Sequence, residues 1–202
     1  MTFQRATVIA ANRVAALPVA ASWQSPDGVV VTIRPTRPDD ASIVQDFVRE
    51  LSPEARYFRF MGAVRELTPQ MLRRFVRIDQ TCEVALAAVA TRGGRTRQLG
   101  ECRYAVCPGG DCEFAVAVLD AWQGRGLGQR LMSNLIAIAR IRGLTAMVGD
   151  VIATNAAMLG LALKPGFKVA ASDEGWSIRR ISLALPPPTP CTTGERPPSI
   201  PE

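Results

Sequence analysis

The sequence predicts an α/β (α+β) domain with a mixed, mostly antiparallel central sheet flanked by helices on both faces. Three observations lead there. Helical spacing of apolar residues holds up to about residue 78 and then gives way to strand-like runs. Three such runs follow one another through turn sequences short enough for hairpins. The last part of the domain alternates helix and strand, which adds crossovers to an antiparallel meander.

In order, "VVVTIRP" reads as a first strand, stopped by Pro35. "RPDDASIVQDFVREL" reads as a helix with Asp39 or Asp40 as its cap, and Ile43, Phe47 and Leu51 recur every four residues. "SPEARYFRFM" opens a second helix with Ser52 as cap and Pro53 in the first turn, and "TPQMLRRFVRI" repeats that opening at Thr68 and Pro69. "EVALAAVAT", "QLGECRYAVC" and "CEFAVAVL" are three strands, linked by "RGGRTR" and "PGGD". Leu127, Leu131, Leu135 and Ile138 mark a helix ending near Gly143. "TAMVGDVIA" is a strand, "NAAMLGLALK" a short helix, and "FKVAA" and "WSIRRISLAL" are closing strands.

The folded domain is expected over residues 28–185. Residues 1–27 read as a flexible N-terminal extension ending in the turn cluster "SPDG". Asn12 and Arg13 break the apolar run that a signal segment would need. Residues 186–202 contain "PPPTP" and "RPPSIP", a proline density that sustains neither helix nor ladder, so a disordered tail is expected.

The formal charge of +6 favours anionic partners. The arginines are dispersed and few aromatics interleave with them, which argues against nucleic acid. No run approaches the ~20 apolar residues of a membrane span. The chain has no histidine, which removes Ser-His and Cys-His nucleophiles and most catalytic zinc sites; no metal is expected. Its five cysteines contain no C-x-x-C pair and point to reduced, buried thiols in a cytoplasmic setting, although Cys107 and Cys112 flank a turn and could approach each other.

The informative stretch is "CEFAVAVLDAWQGRGLGQRL", residues 112–131. One carboxylate, Glu113, stands among apolar strand residues. Gly124, Gly126 and Gly128 then lead straight into a helix. Amides at a helix start lack intrahelical partners and sit at the positive end of the dipole, so they bind anions, and glycines let a phosphate approach them. Arg125 within the turn opposes the helix dipole unless an anion lies nearby. A strand-to-helix turn that binds nothing is the plain alternative. The Gly-Lys-Ser/Thr of a P-loop is missing, and Gln129 stands where a dinucleotide fingerprint needs its third glycine.

Gln123, Gly126 and Gly128 fit Q-x-x-G-x-G. With Glu113 upstream and "NAAMLGLALKPGF" downstream, the sequence resembles the GNAT superfamily of acetyl-CoA-dependent N-acetyltransferases. The opening "TIRPTRPDDASIVQDFVRELSPEARYFRFM" is similar to the GNAT domain of bacterial protein lysine acetyltransferases, and the resemblance covers roughly residues 29–185. It implies a GNAT-like fold and acetyl-CoA as the acetyl donor. It also implies that the turn cradles the coenzyme pyrophosphate, through Gln123, Gly124, Arg125, Gly126, Leu127, Gly128, Gln129 and Arg130. Ala115 to Val118, with Val116, Ala117 and Val118 foremost, would offer backbone groups to the pantetheine arm and the thioester carbonyl. Asn155 is read both as a helix cap and as a coenzyme contact, and Arg130 both as a phosphate ligand and as a solvated surface arginine.

Glu113 is the expected general base. A lysine amine has a pKa of ~10.4, so neutralising it at pH 7 costs about 4.6 kcal/mol, and a placed base is worth ~10²–10⁴ in rate. The small neighbours Ala115 and Ala117 leave room on its face; the bland alternative is an edge glutamate facing water. Where the family often has a tyrosine acid in the last helix, this chain has Ala162, so the acid role is open. An acetyl-cysteine route through Cys112 is disfavoured, because adjacent strand residues face opposite ways. The acceptor is expected to be a primary amine, first a protein lysine on a metabolic enzyme such as acetyl-CoA synthetase. A small-molecule amine and a non-catalytic CoA-binding regulatory module are the alternatives. The oligomeric state stays open, a dimer being compatible.

Overall fold

A computed structural model describes residues 21–173 and 175–186. Eight strands form one sheet in the order β1-β2-β3-β4-β5-β6-β8-β7, and five helices accompany it. The strands are β1 (Ala21–Gln24), β2 (Val30–Pro35), β3 (Glu83–Arg92), β4 (Arg95–Val106), β5 (Cys112–Val118), β6 (Ala146–Ile152), β7 (Lys168–Ser172) and β8 (Gly175–Ala184). The helices are α1 (Ala41–Glu50), α2 (Pro53–Phe60), α3 (Pro69–Val76), α4 (Leu127–Ile141) and α5 (Ala156–Leu163). Every neighbouring pair is antiparallel except β5–β6. Among the described residues no helix is long and apolar enough to cross a membrane.

The two faces of β4 carry different helices, because successive strand residues point opposite ways. Cys102 turns its thiol to the Leu131 carbonyl of α4 at 3.4 Å. Gly100 lies on that same face, where a Cβ would come 3.0 Å from Leu131. The bare glycine therefore lets α4 sit close on the sheet. Leu127, Leu131, Leu135 and Ile138, the predicted stripe, are all buried beneath it. On the opposite face Glu101 and Arg103 meet α2 and α3. Arg59 donates to Glu101 at 2.8 Å, Arg103 donates to it at 3.1 Å, and the Arg103 guanidinium lies 3.9 Å from the Phe75 ring centroid.

Ser52 and Thr68 cap α2 and α3 as their sequences predict, accepting from Ala55 N at 3.2 Å and Met71 N at 3.3 Å. The expected aspartate cap of α1 is different. Asp40 is buried, accepts two bonds of 2.7 Å from the Arg34 guanidinium, and takes the Arg37 amide at 2.8 Å. Its carboxylate is committed to β2 and the preceding turn, so α1 starts without a side-chain cap.

The sheet also begins earlier than residue 28. Ala21–Gln24 pair antiparallel with Val30–Ile33, and the "SPDG" cluster is the hairpin turn between them. Gly28 there has φ +81°, and its amide bonds to the Ser25 carbonyl at 2.8 Å. The expectations for residues 1–20 and 187–202 lie outside the described residues.

Candidate active site

The cleft is built by a break in strand pairing. Parallel β5 and β6 share register only at Cys112↔Met147 and Glu113↔Val148. From Phe114 to Val118, β5 keeps its partners on β4 alone. The backbone groups that would have met β6 are left for another partner, over the residues expected to meet the pantetheine arm.

Glu113 stands at the apex of this split. It is exposed and shares its face with its register partners Ala105 and Val148 and with Ala115 and Ala117 farther along β5. Cys112 points the other way, into the α4 side. It is fully buried, and burial pushes its thiol up to about 12, so it stays protonated beside its acidic neighbour. Among the described cysteines none is bonded to another; Cys102 and Cys112 are buried, whereas Cys82 is exposed, contrary to the expectation of buried thiols.

Beyond β5, a short turn at Asp120–Trp122 leads into the glycines. Gly124 and Gly126 take φ of +71° and +81°, and a Cβ on either would meet nothing within 4 Å. Their bareness is thus imposed by the backbone and opens onto free space. Gly126 caps α4 with no side-chain bond, and the first amide to close the helix is that of Arg130, onto the Gly126 carbonyl at 3.1 Å. The amides of Leu127, Gly128 and Gln129 precede it and have no intrahelical acceptor. Free amides at the positive end of a helix dipole are a geometry that suits an anion.

Gly128 has a different reason to be bare. A Cβ there would come 3.2 Å from Leu161, so this glycine brings α5 against α4. The Gln123 side chain donates to the Val118 carbonyl at 3.2 Å, tying the turn to the end of β5. The Asn155 carboxamide accepts from Met158 N at 3.0 Å, which is the helix-cap role. Ala162 is fully buried. Of the two tyrosines, Tyr104 is buried on the α4 side and Tyr57 is exposed on α2.

Three contributors escaped the sequence reading. Asp120 accepts from Ser52, from its amide at 3.1 Å and its hydroxyl at 2.8 Å, and so ties the turn to α2. Asp27 pairs with Arg125 at 2.9 Å, and Trp23 carries the Arg130 guanidinium 4.8 Å from its ring centroid. Both belong to the β1–β2 hairpin and lie before residue 28, the expected start of the domain. Two hollows flank the site without reaching Glu113. One of about 100 Å³ lies between α4 and α5, lined by Gln129, Ser133, Leu161 and Lys164. One of about 610 Å³ lies against α2, at Arg56, Tyr57, Val64 and Arg65.

Residues 49–167, more than half of the chain, match the Acetyltransferase (GNAT) family. The chain belongs to this family. Acetyltransferase PA5475 of Pseudomonas aeruginosa is 39% identical over 142 residues, which cover 70% of this chain and 76% of that protein. Acetyltransferase Pat of Mycolicibacterium smegmatis is 31% identical over 159 residues, covering 77% of this chain but 46% of Pat. The crystal structure of the GNAT domain of S. lividans PAT superposes with a TM-score of 0.73 at 28% identity, covering 82% of this chain and 97% of that one. The protein is therefore a GNAT acetyltransferase, and its open, mostly antiparallel sheet is the fold of its GNAT neighbour.

Proposed function

We propose that this GNAT enzyme moves the acetyl group of acetyl-CoA to a primary amine by direct attack in a ternary complex, with Glu113 as the base. The observation that carries the reading is the split of β5 from β6 immediately after Glu113, beside an uncapped helix start. Acetyl-CoA would supply the thioester-bound acetyl group. The amides of Leu127, Gly128 and Gln129 would hold its pyrophosphate, where the space over Gly124 and Gly126 is open. The unpaired edge of β5 would align the pantetheine arm. Its amides would donate to the carbonyl oxygen as negative charge grows there. Glu113 would take the amine proton, directly or through a water, from the face kept clear by Ala115. Gln123 acts by fixing the turn, and Asn155 by fixing α5. With alanine at position 162, no tyrosine of α5 protonates the departing thiolate.

A protein lysine is the favoured acceptor, and a metabolic enzyme such as acetyl-CoA synthetase the first to test. The resemblance of the N-terminal third to protein lysine acetyltransferase domains supports this, as do the identity with Acetyltransferase Pat and the likeness to the S. lividans PAT domain. A cytoplasmic location goes with it. The test is a panel of proteins and small amines scored for thiol release, with acetylated lysines mapped by mass spectrometry. Transfer only to small amines would replace the lysine assignment, and no transfer to any amine would replace the enzyme reading with a binding module. For the cradle, Gly126→Asn is the informative variant, because asparagine tolerates the left-handed backbone and its side chain fills the open space. Acetyl-CoA affinity should fall about tenfold or more, the loss expected when one or two charge-assisted bonds are blocked. Unchanged affinity in calorimetric titration would remove the cradle assignment.

A further inference from the structure

We propose that Asp27, on the β1–β2 turn, competes with the coenzyme phosphates for Arg125 and so holds down the affinity for acetyl-CoA. This rests on the glycine turn being the pyrophosphate cradle. Arg125 lies between two glycines of positive φ, Gly124 and Gly126. Its guanidinium stacks 5.3 Å from the Trp122 ring centroid and reaches Asp27 across 98 residues of chain, at 2.9 Å. The cation predicted to want an anion therefore already has one from the protein.

Asp27 is a prepared partner. Ser25 donates to it at 2.5 Å while accepting the Val29 amide at 3.2 Å, so the turn presents the carboxylate in one place. The bond from Ser25, and then the one from Arg125, hold its carboxyl below the usual range. The same hairpin sets Trp23 under Arg130, so both arginines flanking the helix start are engaged by the β1–β2 unit.

The Asp27–Arg125 pair is also exchangeable. Its side chains are 50% and 43% exposed, and such pairs add little to stability. A pyrophosphate brings more charge and more acceptor oxygens than one carboxylate, and takes the guanidinium over. Asp27 then remains at the rim as an unpaired like charge. Loss of the guanidinium's carboxylate partner and relief of that repulsion act in the same direction, so neutralising Asp27 tightens binding. Had Asp27 served to aim Arg125 at the phosphate, neutralising it would weaken binding. The sign of the change separates the two.

The experiment is calorimetric titration of acetyl-CoA into the wild type, Asp27→Asn, Arg125→Ala and the double variant. Asp27→Asn should tighten binding about three- to fivefold, the scale of an exposed ion pair. The gain should be smaller in the double variant, which keeps only the relief of repulsion, shrink at high salt, and be absent for acetyl-pantetheine, which lacks the phosphates. The KM for acetyl-CoA should fall by the same factor while the KM for the amine stays. Asp27→Ser, another neutral turn former, should repeat the gain and guard against a fault in the hairpin. Unchanged or weaker binding by both Asp27 variants, with Arg125→Ala weakened, would overturn the competition and leave the cradle standing. Equal tightening in the double variant would also overturn it. If Arg125→Ala bound acetyl-CoA like the wild type, Arg125 would not be a phosphate ligand, and the proposal would fall at that step.

Discussion

The two faces of β4 and β5 are built on opposite principles. Towards α4, the strands offer Gly100, Cys102, Phe114 and Val118, and the helix is held by apolar contact close enough to require a glycine. Towards α2 and α3, the same strands offer Glu101, Arg103 and Glu113. There the helices are held by a buried carboxylate between two arginines. The first face can be dry because nothing has to happen on it. The second carries the face of β5 on which Glu113 stands, and there charged groups lie close to apolar walls. Glu101 shows how that is managed. Burial pushes its carboxyl up, but the charges of Arg59 and Arg103 pull it further down, to a net value below the ordinary one.

The largest expected effect comes from breaking the charged face. Glu101→Ala leaves two arginines without their shared partner and should cost about 3–5 kcal/mol, measured by urea unfolding. The wild type should show the matching pH dependence. A carboxylate whose folded pKa is depressed contributes its full stability above its unfolded value of ~4.3 and loses it as pH falls through the folded value. Melting temperature against pH should therefore drop more steeply below about pH 4.3 in the wild type than in Glu101→Gln.

The next effect separates chemistry from packing on that face. Glu113→Gln should keep the fold and the acetyl-CoA affinity while lowering turnover about 10²-fold or more at pH 7. The deficit should shrink as pH rises towards the amine pKa of ~10.4, because the substrate then arrives neutral. A deficit equal at every pH would make Glu113 a positioning group, and wild-type turnover would place the base elsewhere on the acidic residues near the first helices.

A smaller effect tests the dry face. In Gly100→Ala the new methyl would lie 3.0 Å from the Leu131 side chain and 3.1 Å from the Ala117 carbonyl, so both must give way by a few tenths of an ångström. About 1–3 kcal/mol of stability should be lost. Smallest of all, Gln123→Ala removes one exposed bond to the end of β5, and acetyl-CoA should bind more weakly by no more than about 1 kcal/mol.

Much of this was legible in the chain. The stripe of α4, the caps at Ser52 and Thr68, the hairpins β3–β4–β5, and the opposite facing of Cys112 and Glu113 are local patterns, and the structure repeats them. What failed was non-local. Asp40 looked like a cap because a sequence window cannot show that Arg34 claims its carboxylate. The strand "ASWQ" is four residues long and has no periodicity to detect; only its pairing with β2 makes it a strand. That Gly128 also lets α5 approach was invisible, because Leu161, which crowds it, is 33 residues away. The split between β5 and β6 depends on a register set across a helix. Asp27 reaches the glycine turn from a distant loop, and Asp120, just before the glycines, is held by the distant Ser52.

The two-residue seam between β5 and β6 has a mechanical meaning as well. The sheet is two ladders, β1–β5 and β6–β8, zipped together at one end. A molecule lying in the opening takes up main-chain bonds that a longer seam would have satisfied. It becomes a removable stave in the wall, and its arrival fastens the two ladders to each other. If the donor lies there as proposed, amide-exchange protection on both banks of the opening should rise and fall with its occupancy, and the enzyme should be most rigid while it holds its donor.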